Sequence, residues 1–145
     1  MSGLLATGAL LSATLFTTWA LYITLVEHPA RLDSGAGPGR AQLQASYRRA
    51  APWQVSFALA ALVCGAGAAI ATGRWTWLAG AVVIGSVVPF TLVAIMPTNR
   101  RLLAPAPLVE DEARRLMERW GRLHAVRTAL GAIGLLLFLL TLGPR

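Results

Sequence analysis

The sequence predicts an all-α protein: a four-span antiparallel transmembrane helical bundle whose fourth helix extends beyond the membrane. Three observations carry this. Of the 145 residues, 56% are hydrophobic and 13% charged, which is too apolar for an ordinary soluble domain of this length. Four apolar runs, near residues 3–26, 53–72, 75–96 and 123–142, are long enough to cross a hydrocarbon core about 30 Å thick. The 13 basic residues are all arginine, and most lie in the two segments that follow runs one and three. The whole chain, 1–145, reads as one integral membrane domain.

The first run, Gly3 to Val26, carries no charge. It is too long for the apolar part of a cleavable signal, and no basic region precedes it. Thr17, Leu21, Thr24 and His28 lie on one helical path, so one face turns polar toward the end of the span. Pro29 is expected to end this helix, and Asp33 to Gly39 reads as a loop by composition. A helix should resume over Ala41 to Ala51 with Tyr47, Ala51 and Gln54 on one face. Pro52 then either starts the second span or kinks a continuous helix.

The second span is rich in small residues at Cys64 to Ala69, which let helix backbones approach closely. Gly73-Arg74 forms a tight turn, making spans two and three antiparallel neighbours. Trp75 and Trp77 suit an interfacial belt. Pro89 should kink span three and free a carbonyl for Thr91 or a neighbouring helix. Pro97 should close it, with a proline-rich connection from Leu102 to Leu108. Val109, Ala113, Leu116, Trp120 and Leu123 then repeat with the spacing of an apolar helix seam. Acids stand four residues before bases at Glu110–Arg114, Asp111–Arg115 and Glu118–Arg122, the favourable order. Together these predict one long helix from about Val109 to Leu142. The ends of spans one and three also resemble each other, Glu-His-Pro-Ala-Arg beside Met-Pro-Thr-Asn-Arg, as in a duplicated helical hairpin.

The arginine-rich segments belong in the cytoplasm by the positive-inside rule, with Arg74 and Arg145 on the far side. That fits a bacterial inner membrane protein. The arginines flank apolar spans, so the net charge of +7 signals topology and not nucleic acid. The partners expected are the lipid bilayer and a hydrophobic small-molecule ligand, and homo-oligomerisation is left open. Cys64 is the only cysteine, so the chain has no internal disulfide.

The chemistry concentrates at the ends of the spans. Trp120, His124 and Arg127 share one helical face leading into the last span, and an arginine inside an apolar run is costly unless it meets protein or water. Glu27, His28, Arg31, Tyr47, Gln54, Asn99 and Arg100 fall on the same side of the membrane. His124 and His28 are the candidate bases. Arg127 and Asn99 would hold a developing oxyanion. Trp120, Trp19 and Tyr22 would supply aromatic walls, with Glu27, Arg100 and Gln54 contacting the ligand. Glu27 is the expected counter-charge of Arg127. No metal is expected, since no metal-binding motif is present, although two histidines leave haem or a metal open. The residues alone leave open a non-enzymatic membrane binding or scaffold protein, or a haem- or quinone-binding redox subunit.

Four spans in this length, Pro29 after the first, Asn99-Arg100 after the third, and Trp120, His124 and Arg127 entering the fourth resemble the anthrone oxygenase family of small membrane proteins, also called the domain of unknown function 1772 family. The resemblance implies an oxygenase acting with molecular oxygen on a flat, hydrophobic, phenolic substrate, as in the oxidation of anthrones to anthraquinones without a metal or flavin. It marks Asn99, His124 and Arg127 as site residues, whereas Glu27 and His28 enter from the residues alone.

With four spans, both termini must lie on one side. Cysteine labelling at Ser2 and Pro144 should reach both from the same face of the membrane; labelling from opposite faces would contradict the span count.

Overall fold

A computed structural model describes residues 2–143. Pro144 and Arg145, the topology markers at the C-terminus, lie outside the described residues. Among the described residues the chain is four helices: α1 (Ser2–Asp33), α2 (Ala36–Thr72), α3 (Trp75–Leu103) and α4 (Glu110–Leu140). All four are long and apolar enough to cross a membrane, and the protein is an integral membrane protein. Each helix packs on its sequence neighbours, α4 closes the ring against α1, and α2 and α4 also meet across the diagonal.

Proline behaves differently from the sequence expectation. Pro29 does not end α1 and Pro97 does not close α3. Each is preceded by a single π-helical segment, Ile23–Glu27 and Thr91–Ile95. The His28 amide bonds back to the Ile23 carbonyl, and the Met96 amide to the Thr91 carbonyl. The wider turn accommodates the missing proline N–H and the ring's bulk without stopping the helix. Both helices therefore run on, to Asp33 and to Leu103.

The Asp33–Gly39 segment is not a loop either. Only Ser34 and Gly35 leave the helical path, with Gly35 at φ +90°. Pro38 sits in the first turn of α2, where an amide has no helical acceptor in any case. Gly39 lies so close to the Arg31 carbonyl that a Cβ would strike it. Pro52 stands inside a continuous α2. In α3 the irregular turn falls at Ser86, and the Thr91 hydroxyl donates to the Val87 carbonyl at 2.7 Å.

The connection between α3 and α4 is tied to α2. Arg40 Nε donates to the Leu102 carbonyl at 2.9 Å, its Nη2 donates to the Ala106 carbonyl at 3.0 Å, and Gln44 Nε2 donates to the Leu102 carbonyl at 2.8 Å. These donors satisfy the Leu102 carbonyl that the end of α3 leaves free, and the Ala106 carbonyl in the connection.

α4 runs unbroken over 31 residues, but its buried line is not the one read from apolar spacing. It passes through Ala113, Met117, Trp120, His124, Arg127, Thr128, Gly131 and Gly134, with Leu116 and Leu123 only half-buried and Val109 exposed. The three acid–base pairs expected along α4 do not form. Glu118 pairs with Arg114 at 3.2 Å, and Glu112 pairs with Arg101 of α3. These side chains are largely solvated, where such pairs are weak and exchange partners easily.

Two apolar clusters fill the bundle. One is alanine-rich, with Phe16, Trp77, Ile84 and Phe138 as its large members. The other holds Ile23, Leu43, Ile95, Leu102, Met117 and Trp120. Trp77 thus belongs to the core, 5.2 Å from Phe138, while Trp75 is 76% exposed and suits the interfacial role. Small residues permit this packing: a Cβ on Gly134 would lie 2.9 Å from Ile84 Cβ and 3.1 Å from the Gly80 carbonyl oxygen. Gly134→Val should therefore destabilise the bundle by about 1–3 kcal/mol, read as a lower thermal midpoint in detergent. An unchanged midpoint would mean α3 and α4 are free to separate there.

Candidate functional site

The second cluster borders a cavity lined from all four helices, with Ile23, Ile95 and Trp120 on its wall. Ile23, Glu27 and Arg31 come from α1, Tyr47, Ala51 and Gln54 from α2, Asn99 from α3, and Trp120, His124 and Arg127 from α4. The helical extensions past the two prolines position Arg31 and Asn99, each two residues beyond its proline. The cavity is narrow. The space open to the centres of water-sized molecules is about 50 Å³, room for a few waters.

Arg127 is 8% exposed. Its Nη1 donates to Gln54 Oε1 at 2.6 Å, and its guanidinium lies 5.0 Å from the centre of the Phe16 ring. Among the described residues no carboxylate pairs with it, and its Nε has no protein partner. The expected Arg127–Glu27 pair does not form. Glu27 is held by Arg31 at 2.6 Å and accepts from Gln42 Nε2 at 2.7 Å. Arg31 also donates to Gln42 and, at 2.6 Å, to Ser46 Oγ. Glu27 and Arg31 are four residues apart on the same helix, so their pairing needs no interhelical fit. The consequence is electrostatic: the Glu27–Arg31 pair is internally neutral, and the positive charge of Arg127 remains for the cavity.

His124 is buried and stacks on Trp120 with ring centroids 4.7 Å apart. Thr128 Oγ1 donates to the His124 carbonyl at 3.0 Å. Thr24 Oγ1 lies 2.8 Å from Thr128 Oγ1 and 3.0 Å from His124 Nδ1. These hydroxyls engage Nδ1 and leave Nε2 as the ring nitrogen without a protein partner among the described residues. Asn99 is fully buried and joins two helices. Its Nδ2 donates to the Tyr47 hydroxyl at 2.9 Å, and its Oδ1 accepts from Trp120 Nε1 at 2.8 Å.

Four expected site residues lie elsewhere. His28 is buried but does not line the cavity; its ring packs 5.2 Å from Trp120 and directly against Gly121. The π turn adds a residue and rotates the remainder of the helix by about 100°, bringing Glu27 and Arg31 to the cavity in its place. Arg100 is exposed on the far face of α3. Trp19 and Tyr22 line a separate hollow on the outside of α1 and α2. Sequence reasoning also gave no role to Thr128, Ser46 or Gln42. Thr128 stands four residues after His124 on the same helical face, a signal that was available; the partners of Gln42 and Ser46 were not. Among the described residues no three histidine, cysteine, aspartate or glutamate side chains gather as metal ligands.

Comparison with known proteins agrees with the resemblance. One curated relative, the anthrone oxygenase tpcL of Aspergillus fumigatus, is 43% identical over 53 residues, 34% of this chain and 33% of that one. The aligned part thus spans about a third of that relative's length. No solved structure matches. A family model described as anthrone oxygenase matches residues 43–137, well over half of the chain. That stretch runs from Leu43 of α2 through α3 to Leu137 of α4, and it makes this chain a member of the anthrone oxygenase family.

Proposed function

We propose that the cavity oxidises a flat, hydrophobic, phenolic substrate of the anthrone type with molecular oxygen. The observation that carries this reading is Arg127, a buried cation turned to a cavity and paired with no carboxylate among the described residues. A charge so placed favours an anionic ligand, because a second charge in a low-dielectric site offsets the cost of the first. An anthrone becomes such an anion on losing a proton from its central CH₂.

His124 Nε2 takes that proton, and the negative charge is shared between that carbon and the ketone oxygen opposite, held by Arg127. The carbanion carbon forms a C–O bond to oxygen, giving a peroxide that regains a proton as the hydroperoxide. Loss of the second C–H proton with cleavage of the O–O bond releases water and leaves the quinone carbonyl. One anthrone and one O₂ give one anthraquinone and one water, with all four electrons coming from the substrate. No step draws on a cofactor. Asn99 holds Trp120 as a flat wall. The cavity is too narrow for a tricyclic ring as it stands, so substrate binding must widen it. We place the arginine-rich segments, and with them the cavity's polar end, on the cytoplasmic side of a bacterial inner membrane.

The test is oxygen uptake by purified protein with 1,8-dihydroxyanthrone, corrected for spontaneous oxidation, with the quinone measured alongside. Arg127→Leu should lower kcat/KM by about 10²–10³-fold, the usual scale for a lost oxyanion donor. Arg122→Leu, on the solvated face, should leave it within about twofold. Absence of uptake above the uncatalysed rate would reject the reaction.

A second variant separates charge from shape. Gln54→Glu should give Arg127 a carboxylate and keep the protein folded, yet lower kcat/KM by about 10²-fold or more because the charge is already neutralised. Full activity in this variant would show that the free charge of Arg127 is not what the substrate meets.

A further inference from the structure

Beside the buried cavity, on the outer face of the α1–α2 pair, lies a wider hollow. Its space for water-sized centres is about 470 Å³, against about 50 Å³ in the cavity. Trp19, Tyr22 and Trp53 form its aromatic sides. Trp19 and Trp53 both pack on Phe57, with centroids 6.4 and 6.2 Å away, while Tyr22 and Trp53 stay more than half exposed. The hollow and the cavity share Glu27, Ser46 and Ala50. Of these two spaces, Gln42 lines the hollow and Arg31 the cavity, and Glu27, Arg31 and Gln42 together also border a further outer hollow beside Val26 and Ala30. The partition therefore contains the hydrogen-bonded group Glu27–Arg31–Gln42–Ser46.

We propose that this hollow is the entry vestibule for a planar aromatic phenol arriving from the membrane interface, and that the Arg31–Glu27–Gln42 group is the latch it displaces to reach the cavity. The proposal rests on reading the cavity as the reaction site. Aromatic sides offer stacking to a flat ring. The polar rim of Glu27, Gln42 and Arg49 offers hydrogen bonds to its hydroxyls. The cavity must widen to admit three fused rings, and a wall of long polar side chains yields more readily than packed helix backbone. An acyl chain could cover the aromatic sides but would leave that rim unmatched. This assigns Trp19 and Tyr22 to substrate entry, away from the reacting atoms.

The experiment blocks the hollow without touching the cavity. In a Cys64→Ala background, Ala45→Cys places a thiol in the hollow; Ala45 is exposed and does not line the cavity. Arg122→Cys, exposed on α4, is the control. Each is labelled with a bulky polyethylene-glycol maleimide, and binding of 1,8-dihydroxyanthraquinone is followed by stopped-flow tryptophan quenching. Labelling at Ala45→Cys should slow association and dissociation together by about tenfold or more, leaving Kd within about twofold. Labelling at Arg122→Cys should change neither. Gln42→Leu, which removes the bridge between Glu27 and Arg31, should speed association severalfold. Unchanged rates after labelling Ala45→Cys, with the quinone still bound, overturn the vestibule and leave the cavity reading intact. Failure of the unlabelled protein to bind the quinone overturns both. Quenching of the hollow's tryptophans by brominated acyl chains that the quinone does not displace gives the hollow to lipid and overturns the vestibule alone.

Discussion

A cation held inside the bundle without a carboxylate is the constraint on which the rest of the structure depends. Burying Arg127 is costly unless its hydrogen bonds are met. The bundle meets part of that need with the Gln54 side-chain carbonyl and the Phe16 ring. Gln54 has to be in α2 and Phe16 in α1, so the arginine sets how these helices stand against α4. The one acid lining the cavity is kept away from it: Glu27 is engaged by Arg31 and Gln42. Had Glu27 reached Arg127, Arg31 would be the cavity's buried charge in need of a partner.

The backbone device that makes this possible occurs twice. α1 and α3 each reach a proline, loosen into one π turn just before it, and continue. Two residues past the proline stand Arg31 in one helix and Asn99 in the other, both buried and both at Trp120, one over its face and one at its indole N–H. The parallel extends to α2 and α4. Gln54 and Arg127 are 73 residues apart and bond to each other. Tyr47 and Trp120 have the same spacing and share Asn99 between them. The likeness of the two span ends seen in sequence thus has a counterpart in backbone geometry and in the hydrogen bonds across the cavity.

Stability and chemistry divide along the bundle. The alanine- and glycine-lined half packs backbone close to backbone, the arrangement that works where lipid supplies no hydrophobic drive between helices. The other half carries the polar groups, and the cavity lies among them. Close packing below holds the helix ends in register above, so that Thr24 of α1 can meet His124 and Thr128 of α4.

What the sequence determined by itself is whatever depends on local period and composition. The four spans follow from run length and hydropathy. The alignment of Trp120, His124 and Arg127 follows from 3.6 residues per turn, and Tyr47, Ala51 and Gln54 line the cavity from one face of α2 for the same reason. Tertiary structure decided the partners. Apolar spacing drew the seam of α4 through Leu116 and Leu123, whereas the packed bundle buries Met117 in the apolar cluster and His124 against Thr24 and Thr128. Composition made Asp33–Gly39 a loop, but contact with the Arg31 carbonyl shapes it as a hairpin of helices. Proline rules stopped α1 at Pro29, because a π turn depends on what the extended helix gains from its neighbours and leaves no mark in the local pattern. The same holds for the charges. Sequence placed Glu27 and Arg127 on one side of the membrane and Arg31 one turn after Glu27, but only the packing of α2, whose Gln42 and Ser46 hold that pair and whose Gln54 meets Arg127, left Arg127 facing the cavity without a carboxylate.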